Sequence, residues 1–302
     1  MLNYSHDVFL EAARHLSFSK AAEILYISQP AISKHIKLLE EQYNTNLFER
    51  KGNSISLTEA GKILLKHVIK GKEIQKQSEF EITTLSNSNK AKGTLVIGAS
   101  TTVALYVIPS VLSAFHQRYP TINLRLVNRN SENILNALLE NEIDLGIIEG
   151  KKKITSVKYQ SFLKDEVIAV CSSKSPLAIN KKVHIEELKD IPVALRERGS
   201  GTLSALTEAL AKHKFKISDF NTKIILGGTE ALKNFLLDDN CLGFLPLRSV
   251  KKELKYGELV KVNVPKLAIA REFSFIQRQG SETDKLNSLF IKFALSQYNK
   301  KL

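Results

Sequence analysis

The chain has 302 residues, enough for two or three domains of ordinary size, and 43% of them are apolar, which excludes global disorder. No run of about 18 apolar residues is present, so we expect no membrane span. The first residues also lack the basic-then-apolar pattern of a signal peptide. Cys171 and Cys241 lie in apolar contexts, as buried thiols of a reducing compartment do; a redox pair is the less favoured alternative. These observations predict a cytoplasmic protein.

The net charge of +13 is typical of proteins that bind nucleic acids, but it is unevenly distributed. The first 92 residues contain 13 Lys and Arg and 10 Asp and Glu, a net charge of +3, whereas the remaining residues carry +10. Surface lysines are usually only solvated, which is the favoured explanation of the later excess; attraction of an anionic ligand is the alternative. A DNA-binding function therefore has to rest on motifs.

The first 58 residues predict three helices and a hairpin. Apolar periodicity places helices at residues 5–15, 19–25 and 29–43. Residues 47–57 contain two strand-like pieces around the polar sequence RKGN. Two short helices joined by a turn and followed by a hairpin form a winged helix-turn-helix, which places one helix in the major groove of DNA. We therefore predict a DNA-binding domain over residues 1–58.

The third helix is the predicted recognition helix. Ser28 can cap it, and Pro30 falls in its first turn, where a missing N–H is tolerated. Ile32, Ile36 and Leu39 recur at helical spacing and form its inner face. Side chains that can contact bases and phosphates lie on the opposite face, namely Gln29, Ser33, Lys34 and Lys37. Any surface helix with a polar face shows a similar pattern, which is the structural alternative.

A long helix is predicted from residue 59 to about residue 85, within a linker of residues 59–92. Thr58 can cap this helix, and Glu59 places a negative charge in its first turn. Its apolar positions are sparse: Ile63, Leu64, Val68, Ile74, Ile82 and Leu85. Since such a helix would not be stable alone, we expect it to pair with a second copy of the chain. Residues 87–93 form a polar connection.

From residue 93 onward, apolar strands alternate with helical patterns, which predicts parallel α/β sheets with helices on both faces. Strands are predicted at residues 94–99, 122–128, 145–148, 166–171, 194–196, 223–226 and 241–245. One helix is predicted across residues 103–119, with Pro109 inside the pattern. The length of this region indicates two subdomains rather than one sheet.

Three polar loops, each between a strand and a helix, are candidate anion sites. They are residues 100–102 (STT), 196–202 (RERGSGT) and 227–230 (GGTE). Hydroxyls and free backbone N–H groups at a helix N-terminus attract anions, and ligands of open parallel sheets lie at the carboxyl ends of the strands. The alternative for each single loop is that Ser and Thr only cap the helix.

The detailed motifs of residues 1–65 resemble the LysR-type transcriptional regulators. They are S-F-S-K-A-A-x-x-L-x-x-S-Q-P-A-I-S-K-x-I-x-x-L-E, followed by L-F-x-R and L-T-x-A-G. The resemblance implies a winged helix-turn-helix that binds an inverted-repeat operator in double-stranded DNA, and a linker helix that pairs subunits into a homodimer or homotetramer. The DNA contacts that it implies are Gln29, Pro30, Ser33, Lys34, Lys37 and Arg50.

This segment departs from the family pattern twice. Tyr43-Asn44 stand where the family usually has Leu-Gly, and Asn still permits the left-handed turn that ends a helix. Asn53 stands where a basic residue is common, so we expect one phosphate contact of the wing to be missing.

The second part resembles the effector-binding domain of the same family, in the branch that includes regulators of carbon fixation and sulfur assimilation. Its motifs are G-x-S-T-T, D-L-G-I-I-E-G, R-E-R-G-S-G-T and G-G-T-E-A-L-K. The resemblance implies a periplasmic-binding-protein-like domain over residues 93–302. Subdomain I would comprise residues 93–163 and 270–302, subdomain II residues 164–269, and a small anionic effector would bind between them. The contacts implied are Ser100, Thr101, Thr102, Glu149, Ser200, Thr202, Gly228 and Thr229.

Two positions leave the identity of the effector open, because Arg198 and Leu203 stand where the branch often has Pro and Arg. Enzyme and metal motifs are missing from the sequence. The GSGT loop lacks the lysine of a P-loop, and the His and Cys residues show no metal-ligand spacing.

We therefore expect no enzyme, metal or cofactor, and predict an α/β transcription regulator controlled by its effector. RNA polymerase is a further candidate partner. The alternatives are constitutive DNA binding without an effector, and a small-molecule enzyme with an attached DNA-binding domain.

Overall fold

Three helices and a hairpin open the chain in the computed structural model, which describes residues 2–51, 54–86, 92–150, 154–281 and 284–299. The chain divides into two compact units, Met1–Ile82 and Thr83–Leu302. In the first unit, helices α1 (Tyr4–His15), α2 (Phe18–Leu25) and α3 (Gln29–Tyr43) precede strands β1 (Phe48–Lys51) and β2 (Ser54–Leu57). The strands pair antiparallel, and α4 (Glu59–Ser86) follows. The predicted helix-turn-helix, wing and long helix are confirmed.

The helix ends of this unit follow from local chemistry. Ser28 Oγ accepts a hydrogen bond from the backbone N–H of Ala31 at 3.3 Å, and Thr58 Oγ1 accepts one from Gly61 at 3.0 Å, as the sequence predicted for both caps. Asn44 ends α3 in the left-handed conformation (φ 48°), and its N–H donates to the carbonyls of Glu40 and Glu41. The expected turn at Asn44 is therefore present.

The core of the first unit lies between the helices and the base of the wing. Helix α3 contributes the buried Ile32, Ile36 and Leu39, which pack with Phe9 of α1 and Val68 of α4. Farther along α4, Ile74 and Ile82 are 64% and 65% exposed. Of the predicted apolar positions of α4, Val68 and Leu64 thus belong to this core, whereas Ile63, Ile74, Ile82 and Leu85 are exposed within the described chain. Residues 87–91 of the predicted polar connection lie outside the described residues.

The second unit contains one continuous sheet. Among the described residues, nine strands have the order β4-β3-β5-β11-β6-β9-β7-β8, with β10 beside β6. The strands are β3 (Gly93–Ser100), β4 (Ile122–Arg129), β5 (Leu145–Glu149), β6 (Val157–Ser172), β7 (Val193–Arg196), β8 (Thr222–Leu226), β9 (Leu242–Pro246), β10 (Leu259–Val262) and β11 (Ile269–Arg278). The helices are α5 (Thr101–Tyr106), α6 (Ile108–Arg118), α7 (Ser131–Leu139), α8 (Leu177–Asn180), α9 (Gly201–Ala211), α10 (Thr229–Asp238), α11 (Lys251–Tyr256) and α12 (Lys285–Asn299).

The sheet has two parallel ends joined by two long antiparallel strands. We call β3–β5 with α5–α7 and α12 the first lobe, and β7–β10 with α8–α11 the second lobe. Strands β6 and β11 pair with each other, and they also pair with β9 and β5, respectively. The two predicted α/β subdomains are thus present, but the purely parallel pairing that the sequence predicted is wrong at this junction.

Two predicted elements differ from the structure. Strand β6 has 16 residues, whereas the sequence predicted only residues 166–171, because five of the nine residues before them are polar and do not alternate regularly with apolar ones. The predicted helix across residues 103–119 is two helices, α5 and α6, separated at Val107. Pro109 lies in the first turn of α6, where its missing N–H is tolerated, and it cannot continue the preceding helix. No helix in the described ranges has the length and apolarity needed to cross a membrane.

Candidate functional site

The outer face of α3 presents the residues predicted to contact DNA. All five side chains are exposed to solvent: Gln29, Pro30, Ser33, Lys34 and Lys37. Lys37 Nζ lies 3.7 Å from Glu41 Oε1, a loose pair between exposed side chains that leaves the ammonium group accessible. Ile32 and Ile36, on the opposite face of α3, are buried in the core. The helix therefore cannot rotate about its axis, and its polar face points to solvent.

Two further positions of this unit are the predicted wing contact Arg50 and the histidine of α3, His35. Arg50 lies on β1, where its backbone pairs with Ile55, but its side chain is outside the described part of the structure, as is Asn53. His35 lies on α3 but packs inward: its Nδ1 is 3.0 Å from Ser5 Oγ, and its ring contacts Tyr4 edge-on. The structure thus gives His35 a packing role.

The centre of the second unit is a buried cluster around Arg271 of β11. The guanidinium donates through Nε to Asp165 Oδ2 (2.9 Å) and through Nη1 to Glu149 Oε1 (3.0 Å) and Thr202 Oγ1 (2.9 Å). A further bond runs from Nη2 to Thr102 Oγ1 (3.1 Å). Arg271 and the Glu149 side chain are 3% and 4% exposed as side chains, so these charged bonds lie away from solvent.

This cluster joins the loops of both lobes. Thr102 lies in the first turn of α5 in the first lobe, and Glu149 ends β5 in the same lobe. Thr202 lies in the first turn of α9 in the second lobe, next to Gly201. A Cβ atom at Gly201 would overlap the Glu149 side chain, so the close approach of the lobes requires glycine there. The structure therefore brings Thr102, Glu149 and Thr202 together around one cation.

Two buried polar atoms, one on Glu149 and one on the residue two before Thr102, lack hydrogen-bond partners in the described part of the chain. Ser100 Oγ and Glu149 Oε2 are buried and have no hydrogen-bond partner within the described residues. Ser100 ends β3 immediately before α5 and is 1% exposed. Buried polar atoms are normally paired, so unpartnered atoms at a convergence of loops mark a place where a ligand can supply the missing bonds. Ser200 is also buried at the start of α9, whereas Thr101 is partly exposed.

The predicted loop at Gly228 and Thr229 is occupied by groups of the chain itself. Arg196 donates from Nη1 to Thr229 Oγ1 at 2.8 Å and pairs through two bonds with Glu197. Glu197 Oε2 in turn accepts from the Gly228 N–H at 3.3 Å. Burial alone would raise the pKa of Glu197, but the Arg196 guanidinium and these hydrogen bonds lower that pKa below its usual value. The loop thus holds an internal carboxylate.

Sequence reasoning missed three charged residues of the central cluster: Asp165, Arg248 and Arg271. Arg248 Nε donates to Asp165 Oδ1 at 3.0 Å, so Asp165 lies between two guanidiniums. A signal for Arg271 was present, because Ile269, Arg271 and Phe273 alternate along one buried face of β11. A charge in that alternating apolar series requires a buried partner.

A cavity of about 700 Å³ adjoins the cluster on the side of α9 and the paired strands β6 and β11. Its wall includes Arg271 and Asp165 of the cluster. It also includes Gly150, which follows Glu149 in sequence, and Gly201, which packs against the Glu149 side chain. Small residues form part of the floor, namely Ala205, Ala268 and Ala270. The volume is in the range of small-molecule sites.

Both cysteines are buried and have unreactive surroundings. Burial raises the pKa of the Cys171 thiol to about 11, although a hydrogen bond with Ser175 acts in the opposite direction. Burial and then the Asp239 carboxylate raise the pKa of Cys241 to about 12. A thiol with a raised pKa forms little thiolate at neutral pH and reacts slowly. Within the described chain, no three His, Cys, Asp or Glu side chains form a group that could hold a metal ion.

Comparison with known families agrees with this architecture. Residues 88–299 match the family described as "LysR substrate binding domain", and residues 6–62 match "Bacterial regulatory helix-turn-helix protein, lysR family". The chain belongs to the LysR family of transcriptional regulators. As a LysR-family protein it combines a DNA-binding domain with a domain that binds an effector, and the predicted resemblance is confirmed.

Relatives of this LysR-family regulator fall in the predicted branch. The HTH-type transcriptional regulator CysL of Bacillus subtilis (strain 168) is 28% identical over 294 residues, which are 97% of each chain. The probable RuBisCO transcriptional regulator of Cyanidium caldarium is 31% identical over 278 residues, covering 91% of this chain and 87% of that one. The regulatory domain of Synechocystis CcmR, solved in complex with 2-PG, is 26% identical with a TM-score of 0.61, covering 68% of this chain and 97% of the domain.

Proposed function

We propose that this LysR-family regulator changes the way it binds DNA when a small anion binds at the junction of its two lobes. The effector-contact residues in this proposal are Ser100, Thr101, Thr102, Glu149, Ser200 and Thr202, with Arg271 added. Gly228 and Thr229 remain weaker candidates, because the carboxylate of Glu197 already accepts from the Gly228 N–H and so takes the place of an anion in that loop. The anion class also accords with the CcmR domain, whose solved complex contains 2-PG.

One observation carries this proposal: Arg271 bonds Thr102 in the first lobe and Thr202 in the second. Glu149 Oε2, on the carboxylate that Arg271 also bonds, and Ser100 Oγ, two residues before Thr102, are buried without partners among the described residues. A ligand that bonds these groups contacts both lobes at once. It would therefore favour one relative arrangement of the lobes over others, which is the differential affinity that any ligand-driven switch requires.

On the DNA side, we propose that Gln29, Pro30, Ser33, Lys34 and Lys37 contact an inverted-repeat operator, with Arg50 on the backbone at the wing. The domain division is residues 1–58, 59–92 and 93–302, with subdomain II at 164–269. Pairing of α4 with a second copy would produce a homodimer or homotetramer that reads the two halves of the repeat. The proposed location is the cytoplasm, and the relatives' names as regulators support a function other than catalysis.

The effector site is tested by thermal unfolding of the full-length protein with sulfate, sulfite, phosphate and small carboxylates. At saturation, at least one anion should raise the melting temperature by about 2 °C or more. Thr202→Val should remove the rise. Thr207→Val is the matched control, since this exposed hydroxyl of the same helix bonds only the Leu203 carbonyl in the described contacts. If no anion shifts the melting temperature, the alternative of constitutive DNA binding is favoured.

The DNA site is tested by binding of palindromic DNA, which we expect at submicromolar affinity with strong salt dependence. Ser33→Asp should abolish binding because it places a carboxylate on the face that meets phosphates. Ser173→Asp introduces the same charge at an exposed turn of the second lobe and should leave binding unchanged. Unchanged binding by Ser33→Asp would overturn the assignment of α3.

A further inference from the structure

The carboxylate of Glu149 is unusual in a site for anions, because it is itself an anion. Its Oε1 accepts from Arg271, and its Oε2 is buried without a partner in the described residues. A carboxylate is an acceptor only, so Oε2 can be satisfied by a hydrogen-bond donor and not by another bare oxygen. The Ser100 hydroxyl, also unpartnered, can donate or accept.

The charges around the cluster are balanced before any ligand arrives. Arg271 and Arg248 lie against Asp165, and Arg271 also binds Glu149, so two guanidiniums meet two carboxylates. A ligand with negative charge therefore gains from Arg271 but meets Glu149 as well. The repulsion from Glu149 becomes an attraction only where the ligand presents a hydrogen to Oε2.

The cavity ends next to the residues that pack around this carboxylate. The cavity wall contains Arg271, Gly150 and Gly201, and Gly201 packs directly against the Glu149 side chain. A ligand that lies along Arg271 in the cavity is therefore close to Glu149.

Resting on the proposed function, we propose that Glu149 is a specificity-determining residue that selects an oxyanion retaining a hydroxyl hydrogen at neutral pH. The negative charge of such a ligand is bound by Arg271, its hydrogen is donated to Glu149 Oε2, and Ser100, Thr102 and Thr202 offer hydroxyls to its remaining oxygens. Inorganic phosphate and phosphate monoesters belong to this class, since they carry protons near neutral pH. Sulfate does not belong to it, because it is fully ionised and turns a lone pair toward Oε2.

The test measures the affinities of inorganic phosphate and sulfate for the full-length protein by isothermal titration calorimetry at pH 6.5. We expect phosphate to bind about tenfold more tightly than sulfate. The reason is that phosphate gains a charge-assisted hydrogen bond to Glu149 Oε2, whereas sulfate is repelled by it. Glu149→Gln should remove or invert this preference, because the amide can donate to a sulfate oxygen. Glu186→Gln removes the same charge from an exposed position that does not line the cavity, and it should retain the preference.

Each result has a distinct meaning. Equal or tighter binding of sulfate by the wild-type protein overturns the selectivity while leaving the anion site in place, and so does a Glu149→Gln variant with the wild-type ratio. If neither anion binds and no other anion gives a response that depends on Thr202, the proposed function fails, and the selectivity fails with it. Should Glu149→Gln not fold, Glu149→Asp, which withdraws the carboxylate by one methylene, is expected to reduce the phosphate preference.

Discussion

Arg271 and Asp165 lie directly opposite each other in the antiparallel pairing of β11 and β6, and both side chains are almost fully buried. The pair lies where the strands pass between the lobes, and Arg271 extends from it to the loops of both. A buried charge without its partner is strongly destabilising, whereas the intact pair contributes mainly orientation. Asp165 is therefore a positioning residue for the Arg271 guanidinium.

Replacement of Arg271 is expected to affect stability as well as ligand binding. Arg271→Met leaves Glu149 without its partner and Asp165 with Arg248 alone, so we expect unfolding of the second unit to become easier by about 3–5 kcal/mol. Urea unfolding followed by circular dichroism measures the change. Arg125→Met, at an exposed position of β4, is the control and should change stability by less than about 0.5 kcal/mol. Equal stability of the two variants would show that the cluster is not tightly coupled.

The Glu197 carboxylate predicts a pH dependence of stability. Its folded-state pKa is lower than the ordinary value of about 4.3, so its contribution is present above that value and is lost as the pH falls through the folded pKa. Glu197→Gln should therefore lower stability at pH 7 and make the fall in stability below about pH 4 shallower. Thermal unfolding from pH 7 to pH 3 checks this. Glu186→Gln, at an exposed position, should follow the wild-type curve; a Glu197→Gln curve parallel to wild type would contradict the prediction.

The cysteines should be inert in the folded protein. Because the thiol pKa values are raised to about 11 and about 12, alkylation by iodoacetamide at pH 7.5 should be slow for Cys171 and Cys241. The same reaction in urea should be fast, since unfolding exposes both thiols. Mass spectrometry after timed alkylation measures this difference. Rapid labelling of the native protein would instead support the redox alternative.

The exposed apolar positions of α4 predict self-association. Ile74→Asp places a charge on a face that a second copy would bury, so we expect the dimer to weaken by at least about tenfold. Sedimentation velocity over a concentration series gives the association constant. Gln75→Asp introduces the same charge at the neighbouring exposed position and should associate more nearly like the wild type. A wild-type association constant for Ile74→Asp would place the interface elsewhere.

The parts of the structure that the sequence predicted are those with local causes. The cap at Ser28, the Pro30 position and the spacing of Ile32 and Ile36 all act within a few residues, and together they define α3. Asn44 could be assigned to a left-handed turn for the same reason. Hydroxyl loops after strands similarly led to Thr102 and Thr202, which the structure places at one junction.

The parts that were not predicted depend on distant partners. Strand β11 and the first half of β6 contain polar residues whose contacts exist only when the two strands pair. The paired residues are more than 100 positions apart in sequence, so the sequence gives no local sign of the pairing. The sequence analysis consequently placed only a subdomain boundary, between residues 269 and 270, where the structure has the buried cluster around Arg271. The occupation of the Gly228 loop by Glu197 also depends on tertiary packing, since the carboxylate precedes that loop by 31 residues.

The paired strands β6 and β11 also restrict how the lobes can move. Their pairing extends from Ile269 with Val167 to Arg278 with Val157, so the two lobes are joined by one hydrogen-bonded ribbon instead of two separate chains. The register shifts between Phe273 and Ser274, where Phe162 is the extra residue and its ring packs on Phe275. A ribbon of this kind resists sliding and splaying, while an irregularity within it bends most readily. We therefore expect motion between the lobes to bend the ribbon at this irregularity, two residues along the strand from Arg271.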